Sequence, residues 1–422
     1  MNRALTTVVL IAVTAVSLWA GGGAEAEDGT VTLTIAGRDG SFGEAMELAT
    51  TLYREQNPNV AFEVLQLSGS ALFEQTVVDL RSGADSYDVI LIDDPNAPQY
   101  MAAGWLTDLD AMFAARGGAP DSDFIGPALG VGRYPAGSGT LYALPHVGNV
   151  ALFAYRTDLF ARHNLAAPDR WEQVLAAAEV LTENEPEVSA VLFRGSKGNP
   201  IVTGFLPILW SFGGDVLDTQ GNVILDSAES VAAVEFFLRL SQYAPAGVAN
   251  YQSAQVRDAL YNGSGAIAIE VWPGWIANLN NPAESAVVDQ MAIRAHPGQV
   301  RGSSPMIGVW LTAIPESSQN KDAAFDFITF LTSAEVQRRI ALETGVPPTR
   351  VSVHQDAQLQ EQYFWYPAQL DGLQNGVARP RTNHWPEIES TLGEHLQRAL
   401  IGEISATEAI AAADERIRAI VE

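Results

Sequence analysis

Strands and helices alternate at the start of the chain, and this pattern is the feature that most restricts its fold. Residues 31–35 and 60–64 alternate apolar and polar side chains, as half-buried strands do. Between them, residues 42–53 repeat apolar side chains every three or four positions, as an amphipathic helix does. A second helical segment, residues 73–81, precedes a continuous apolar run at residues 87–92 that is typical of a strand covered on both faces. This order predicts an α/β lobe with a largely parallel sheet.

A second series of strands and helices follows a segment rich in Gly and Pro at residues 117–139. It continues to a strand at residues 266–269, which indicates a second lobe. Late in the chain, a strand at residues 307–314 is followed by helices at residues 320–331 and 333–343. This late block has no sheet of its own, so we expect it to complete an earlier lobe.

Charge and cysteine content exclude several classes of protein. Fifty Asp and Glu stand against 24 Lys and Arg, a formal net charge of −26. Binding to nucleic acid needs basic patches that neutralise phosphates, so we expect no nucleic-acid partner. The chain has no cysteine, which excludes disulfides, thiolate metal sites, cysteine nucleophiles and a lipid attached through an N-terminal Cys.

The first 26 residues have the form of an export signal. Arg3 precedes an apolar run at residues 4–18 that is shorter than the ~20 residues a membrane-spanning helix needs. Small residues follow, and cleavage is expected after Ala26 or, alternatively, after Ala20. We therefore expect a soluble, exported protein, periplasmic and without a lipid anchor.

The motifs of common enzymes are missing. The sequence has no H-E-x-x-H, no Walker loop and no G-x-S-x-G elbow, and its six histidines lack ligand spacing. Asp93 and Asp94, at the carboxyl end of a predicted strand, could bind a cation, serve as a glycosidase pair, cap a helix or hydrogen-bond a ligand. We expect no enzyme activity, no metal site and no cofactor.

Aromatic side chains near strand ends take the place of catalytic groups. Trp272 and Trp275 follow a predicted strand, Trp310 lies two residues after Gly308, and residues 363–366 form an aromatic cluster. Aromatic rings can stack on the apolar C–H faces of pyranose sugars, whose hydroxyl groups need fixed polar partners. Trp105 and Trp171 are expected to be core residues instead.

From about residue 30 to the end, the sequence resembles the extracellular sugar-binding proteins of ABC importers, the maltose- and trehalose-binding class. Similar segments are AAGWLTDL at residues 102–109, YALP at 142–145, YRTDLF at 155–160 and PDRWE at 168–172. The most specific match is GVWLTAIP at residues 308–315 with the helix that follows it, and GVPPTR at residues 345–350 continues the pattern.

The resemblance implies a periplasmic-binding-protein fold of class α/β: two lobes joined by crossing hinge strands, with a ligand cleft between them. The expected segments are a signal peptide (1–26), the first lobe (27–137), the second lobe (138–305), a return to the first lobe (306–349) and C-terminal helices on the second lobe (350–422). The implied function is capture of a carbohydrate, a disaccharide or oligosaccharide, by a monomeric receptor. This receptor would deliver the ligand to an ABC permease driven by a separate ATPase. A receptor for a polyamine or compatible solute, and a secreted glycosidase, stay as alternatives.

The resemblance also implies ligand-binding residues, by position in the matching segments. Either Trp272 or Trp275 matches a stacking aromatic, and the order WPGW does not decide between them. The full set implied for the cleft is Arg38, Asp39, Asp93, Asp94, Asn149, Trp272, Trp275, Gly308, Trp310 and Arg379.

Overall fold

The structure, a computed structural model, describes residues 30–422, so the predicted signal peptide lies outside the described residues. The strands within this range are β1 (Val31–Arg38), β2 (Val60–Leu67), β3 (Val89–Asp93), β4 (Arg133–Tyr134), β5 (Thr140–Leu141), β6 (Ala143–Val147), β7 (Leu152–Arg156), β8 (Ser189–Leu192), β9 (Gly265–Val271), β10 (Met291–Arg294) and β11 (Trp310–Ala313).

The helices of the same range pack on both faces of the sheets. They are α1 (Ser41–Gln56), α2 (Gly69–Ser82), α3 (Ala97–Ala102), α4 (Leu109–Ala115), α5 (Gly126–Gly130), α6 (Thr157–Arg162), α7 (Trp171–Asn184), α8 (Asn199–Phe212), α9 (Ala228–Ser241), α10 (Ser253–Tyr261), α11 (Pro273–Ile276), α12 (Lys321–Leu331), α13 (Ala334–Thr344), α14 (Val351–His354), α15 (Ala357–Gln362), α16 (Tyr366–Gln374), α17 (Trp385–Leu400) and α18 (Ala406–Val421). Among residues 30–422, no helix combines the length and apolar character needed to cross a membrane.

Local sequence signals explain where several helices begin and end. Helix α2 begins after Ser68, whose side chain accepts a hydrogen bond from the Ala71 amide, and it ends at Gly83 with φ 71°. A non-glycine residue adopts that left-handed conformation only with strain. Helix α18 begins with a capping box, in which Ser405 and Glu408 each accept a hydrogen bond from the other's backbone amide.

The first lobe is built on a five-stranded sheet in the order β2-β1-β3-β11-β6. Strands β2, β1 and β3 are parallel, as the alternating pattern predicts. Strand β11 runs antiparallel between β3 and β6, so the late strand does complete the first lobe.

The second lobe is built on a four-stranded sheet in the order β10-β7-β9-β8. Strands β8 and β9 are parallel, whereas β7 is antiparallel to both β9 and β10. Every residue of the central strands β7 and β9 is buried, because helices cover both faces of this sheet. The two sheets confirm the predicted α/β fold with two lobes.

Two segments divide between the lobes differently from the sequence-based expectation. Strand β6 falls in the segment assigned to the second lobe (138–305) but pairs with β11 in the first sheet. In the C-terminal segment (350–422), α17 and α18 pack on α8 and α9 of the second lobe, whereas Trp365 and Tyr366 of the α16 region join the core of the first. The aromatic cluster at residues 363–366 is therefore core, with Trp365 and Tyr366 almost fully buried.

Three segments cross between the lobes: residues 148–151, residues 295–309 and residues 375–384. Where they run side by side, backbone hydrogen bonds join them. The Ala151 amide donates to the Met306 carbonyl (2.9 Å), and the Ile307 amide donates to the Val377 carbonyl (3.0 Å). We call this set of bonded crossings the hinge; it confirms the expected crossing strands.

The first crossing begins at a glycine that has no room for a side chain. A Cβ atom on Gly148 would lie 2.9 Å from the carbonyl carbon of Pro348 and closer still to its oxygen. The obstructing atoms belong to the backbone of Pro348, which cannot rotate away as a side chain can, so the hinge requires glycine here.

We therefore expect Gly148→Ala to lower the free energy of unfolding by about 1–3 kcal/mol, the usual cost of overpacking. The matched control is Gly130→Ala in α5, where nothing lies within 4 Å of the added Cβ; it should be neutral or stabilising by about 0.5–1 kcal/mol. Urea unfolding of both variants measures the difference, and equal stabilities would contradict the close approach at the hinge.

Three histidines are buried in the described part of the chain and stay neutral there. Burial lowers the pKa of His146, His296 and His354 to about 4 each, from an ordinary value of 6.5. Between pH 6.5 and pH 4 the unfolded chain takes up protons that the folded chain does not. The free energy of unfolding should therefore fall as the pH drops through this window, by up to ~1.4 kcal/mol per pH unit for each histidine.

We expect His146→Leu to remove one of these three contributions and to make the loss of stability between pH 6.5 and pH 4 shallower. Thr312→Val, in the neighbouring strand β11, is the control, because it removes a buried hydroxyl group that does not titrate. Urea unfolding across the pH range measures the slopes. A parental slope in His146→Leu would mean that the folded protein protonates this histidine.

Candidate functional site

A cavity of about 430 Å³ lies between the two lobes beside the hinge. Both sheets contribute strand ends to it, and the loop after α13 closes one side. Nine of the ten residues proposed from the sequence line it: Arg38, Asp39, Asp93, Asn149, Trp272, Trp275, Gly308, Trp310 and Arg379. A second cavity of the same volume, beside residues 168–170 and 294–303, has no tryptophan in its lining.

The wall on the first lobe is formed around Trp310. Its ring makes an edge-to-face contact with Phe42 at a centroid distance of 5.6 Å, and the Arg38 guanidinium lies over it at 5.4 Å. Asp39 accepts a hydrogen bond from Arg38 Nε at 3.0 Å. The ring is thus held from two sides while it borders the cavity.

The wall on the second lobe is formed by Trp272 and Trp275, which follow β9. Their rings are 6.5 Å apart at an angle of 66°. The Trp272 indole N–H donates to Glu270 Oε1 at 2.6 Å, and the Arg194 guanidinium lies 5.2 Å from the Trp275 ring centroid. Both tryptophans between which the sequence pattern did not decide border the cavity.

Gly308 has a steric role that its position explains. A Cβ atom there would lie 2.7 Å from Cη2 of the Trp272 ring and closer still to Cζ3, so glycine lets that ring pack against the hinge. The Gly308 amide donates to the Asn149 carbonyl at 3.0 Å, which joins two crossings beside the cavity.

Asp94 is the proposed residue that the structure does not bring to the cleft. Its side chain is fully buried behind the cavity and is ion-paired with Arg379. Arg381 Nη1 donates to the Asp94 carbonyl at 2.7 Å. Asp94 is therefore a partner of arginines, and its role as a direct ligand contact is a correction to the sequence-based expectation. The side chains of Asp93 and Asp94 point to different environments because successive side chains at a strand end alternate between faces.

The Asp93 carboxyl group faces the cavity with about a third of its side chain exposed. Desolvation raises the pKa of Asp93 to about 7, against the lowering effect of Arg379 at 3.9 Å. This carboxyl group is therefore partly protonated at neutral pH and can donate as well as accept a hydrogen bond.

Several residues of the site were not proposed from the sequence. Glu270 gave a usable signal, because it is a lone carboxylate in an otherwise apolar strand. The Gly345–Pro347 segment lies in the GVPPTR match but was not assigned to the cleft. The remaining residues gave no signal, because helix and loop positions far apart in sequence supply them: Phe42, Arg194, Asn199 and Thr203. Among residues 30–422, no group of three or more His, Cys, Asp or Glu side chains is placed to hold a metal ion.

Two α/β lobes, three hydrogen-bonded crossings and a tryptophan-walled cleft define a two-lobed binding protein. The family described as "Bacterial extracellular solute-binding protein" matches residues 39–338. The chain belongs to this family.

Individual relatives agree with this assignment. The chain is 27% identical over 414 residues to the mannitol-binding protein of Pseudomonas aeruginosa, covering 92% of each chain. It is 26% identical over 370 residues to a probable amino-acid ABC transporter periplasmic-binding protein of Sinorhizobium fredii, covering 84% of this chain and 80% of that one. The maltose-bound MalE3 of T. maritima superposes with a TM-score of 0.80 at 25% identity, covering 93% of this chain and 100% of that one.

Arg38 and Arg379, two of the three arginines at the cleft, differ in burial, and their removal should differ accordingly. Arg379→Met leaves the carboxylate of Asp94 buried without its main partner, so we expect a loss of about 3–5 kcal/mol. Arg38→Met breaks the partly exposed pair with Asp39, so we expect a loss of about 0–1 kcal/mol. Urea unfolding at neutral pH measures both, and equal losses would contradict the assignment of Arg379 as a buried structural partner.

Proposed function

We propose that this protein is a periplasmic receptor that binds a neutral carbohydrate or polyol and delivers it to an ABC permease driven by a separate ATPase. The observation that carries the proposal is the pair of tryptophan walls, one on each lobe, facing a single cavity. Such rings stack on the C–H faces of sugars, and the Asp93 and Asn149 side chains can hydrogen-bond the hydroxyl groups.

The charges around the cleft favour a neutral ligand. Arg38, Arg194 and Arg379 each have a carboxylate partner: Asp39, Glu270 and Asp94 respectively. An anionic ligand would have to displace one of these partners. Desolvation raises the pKa of Asp93 to about 7, so at neutral pH that group carries less negative charge than an ordinary carboxylate and attracts a polyamine less strongly.

The size of the cavity favours a small ligand. Its volume of about 430 Å³ lies near the lower end of the ~300–1,000 Å³ typical of small-molecule sites. A monosaccharide, a linear polyol or a disaccharide suits this space better than a long oligosaccharide. The named relatives support the same range, because one is a mannitol-binding protein and one was solved with maltose.

The two lobes explain how binding can be signalled without a reaction. Each wall supplies half of the ligand contacts, so a ligand binds most tightly when the lobes are closed and thereby stabilises the closed state. A glycosidase would need two carboxyl groups at the scissile bond. The burial of Asp94 behind Arg379 speaks against Asp93 and Asp94 as such a pair.

A thermal-shift screen against sugars, polyols, polyamines and amino acids tests the proposal. A ligand present at 100 times its dissociation constant should stabilise the protein by about 2.7 kcal/mol. A shift with D-mannitol, maltose or another neutral polyhydroxyl compound is expected. A shift confined to a polyamine or an amino acid would overturn the proposed ligand class.

The tryptophans of the two walls should contribute much of the affinity. We expect Trp272→Ala and Trp310→Ala each to weaken binding of the identified sugar by about 2–4 kcal/mol, roughly 30- to 1,000-fold in dissociation constant. The matched control is Trp105→Ala, because Trp105 packs on Tyr100 away from the cavity and its loss should lower stability only. Calorimetry on the three variants decides; parental affinity in both wall variants would disprove the site.

A further inference from the structure

Glu270 lies behind the second-lobe wall and does not line the cavity. It is completely buried near the end of β9, between Ile269 and Val271, which are also buried. A buried carboxylate has a large desolvation cost unless it is paired and hydrogen-bonded. The partners that compensate for this cost are all part of the cleft wall or directly behind it.

Both oxygens of the Glu270 carboxylate are engaged. Oε1 accepts hydrogen bonds from the Trp272 indole N–H at 2.6 Å and from the Thr203 hydroxyl at 2.9 Å. The Arg194 guanidinium donates to both oxygens, through Nη2 to Oε1 and through Nε to Oε2 at 3.1 Å. The carboxylate thus connects α8, the segment after β8 and the loop after β9.

Arg194 extends this network to the second tryptophan. While its guanidinium is paired with Glu270, it also lies 5.2 Å from the centroid of the Trp275 ring, within the range of a cation–π contact. Trp272 is therefore held at its edge by a hydrogen bond, and Trp275 is held at its face by the cation that the same carboxylate fixes. One ion pair orients both rings of the wall.

We propose that Glu270 and Arg194 are positioning residues, which set the angle between Trp272 and Trp275 and thereby the affinity for the ligand. The proposal rests on the proposed function for the part that concerns affinity. It predicts that Glu270 acts through the rings, since Glu270 does not reach the cavity and cannot touch the ligand, whereas Arg194 also lines the cavity. The orientation itself is a property of the ligand-free protein and is tested without any ligand.

The first experiment measures the near-ultraviolet circular dichroism that Trp275 contributes. This contribution is the spectrum of the parent minus the spectrum of Trp275→Phe. The same difference is then measured between Glu270→Gln and the double variant that carries both changes. Glutamine keeps an oxygen for Trp272 and Thr203 but turns an amide N–H toward Arg194, so the guanidinium should move and the Trp275 signal should shrink. The control background is Asp110→Asn, which breaks a partly buried pair with Arg133 outside the cleft and should leave the signal intact.

The second experiment measures binding of D-mannitol and of maltose by calorimetry. For whichever compound the parent binds, we expect Glu270→Gln to weaken affinity by roughly 10- to 100-fold, the range known for loss of supporting hydrogen bonds around metal ligands. Asp110→Asn should bind like the parent even if its melting temperature falls. Arg194→Lys provides an independent variant. It keeps the positive charge but loses the planar, bidentate contact with Glu270, so both the Trp275 signal and the affinity should fall.

The outcomes separate the two proposals. Parental signal and parental affinity in Glu270→Gln would overturn the positioning role and leave the receptor function standing. If Glu270→Gln loses the Trp275 signal and the parent binds neither compound, the positioning role is supported and the proposed ligands are contradicted. If Glu270→Gln does not fold, the Arg194→Lys signal decides: a parental signal there would overturn the proposal.

Discussion

The hinge is the constraint on which the rest of this structure depends. Three crossings of the chain run side by side between the lobes, joined by hydrogen bonds such as those from Ala151 to Met306 and from Ile307 to Val377. Because backbone bonds hold the crossings, the strand ends of both sheets meet at one place. Gly148 and Gly308 let other parts of the chain pack against these crossings, because a Cβ atom would meet Pro348 at the first position and the Trp272 ring at the second. The cleft exists because these crossings are packed tightly.

The electrostatics of the cleft follow from the same closeness. Arginines that are partly or fully buried need partners, and each of the three at the cleft has a carboxylate within contact distance. The pairs are graded by burial: Arg38 with Asp39 is partly exposed, whereas Arg379 with Asp94 is buried. The result is a polar but almost neutral surface, which can hydrogen-bond hydroxyl groups without demanding a charged ligand. Asp93, with its raised pKa, extends this character because it can both donate and accept.

The sequence predicted the fold well for two reasons. Hydrophobic periodicity indicates local structure, and the late strand, which has no sheet of its own, was expected to pair with the sheet of an earlier lobe. The resemblance to sugar-binding proteins also indicated nine residues that line the cavity. The sequence could not separate Asp93 from Asp94, because adjacent residues differ only in the face they occupy. Nor could it place β6 in the first sheet or the aromatic cluster around Trp365 in the core, because strand pairing and helix packing over long sequence distances decide both.

The two walls of the cleft share one construction, and this has a consequence for closure. On each lobe an arginine lies over a tryptophan ring and is itself paired with a carboxylate: Arg38 over Trp310, and Arg194 over Trp275. Each half-site is thus ordered before a ligand arrives, so binding need not spend free energy on arranging the rings. A ligand can shift the lobes only by the difference in its affinity for the open and closed states. Pre-ordered walls that lie on opposite lobes make that difference large, because a ligand contacts both of them only when the lobes are closed.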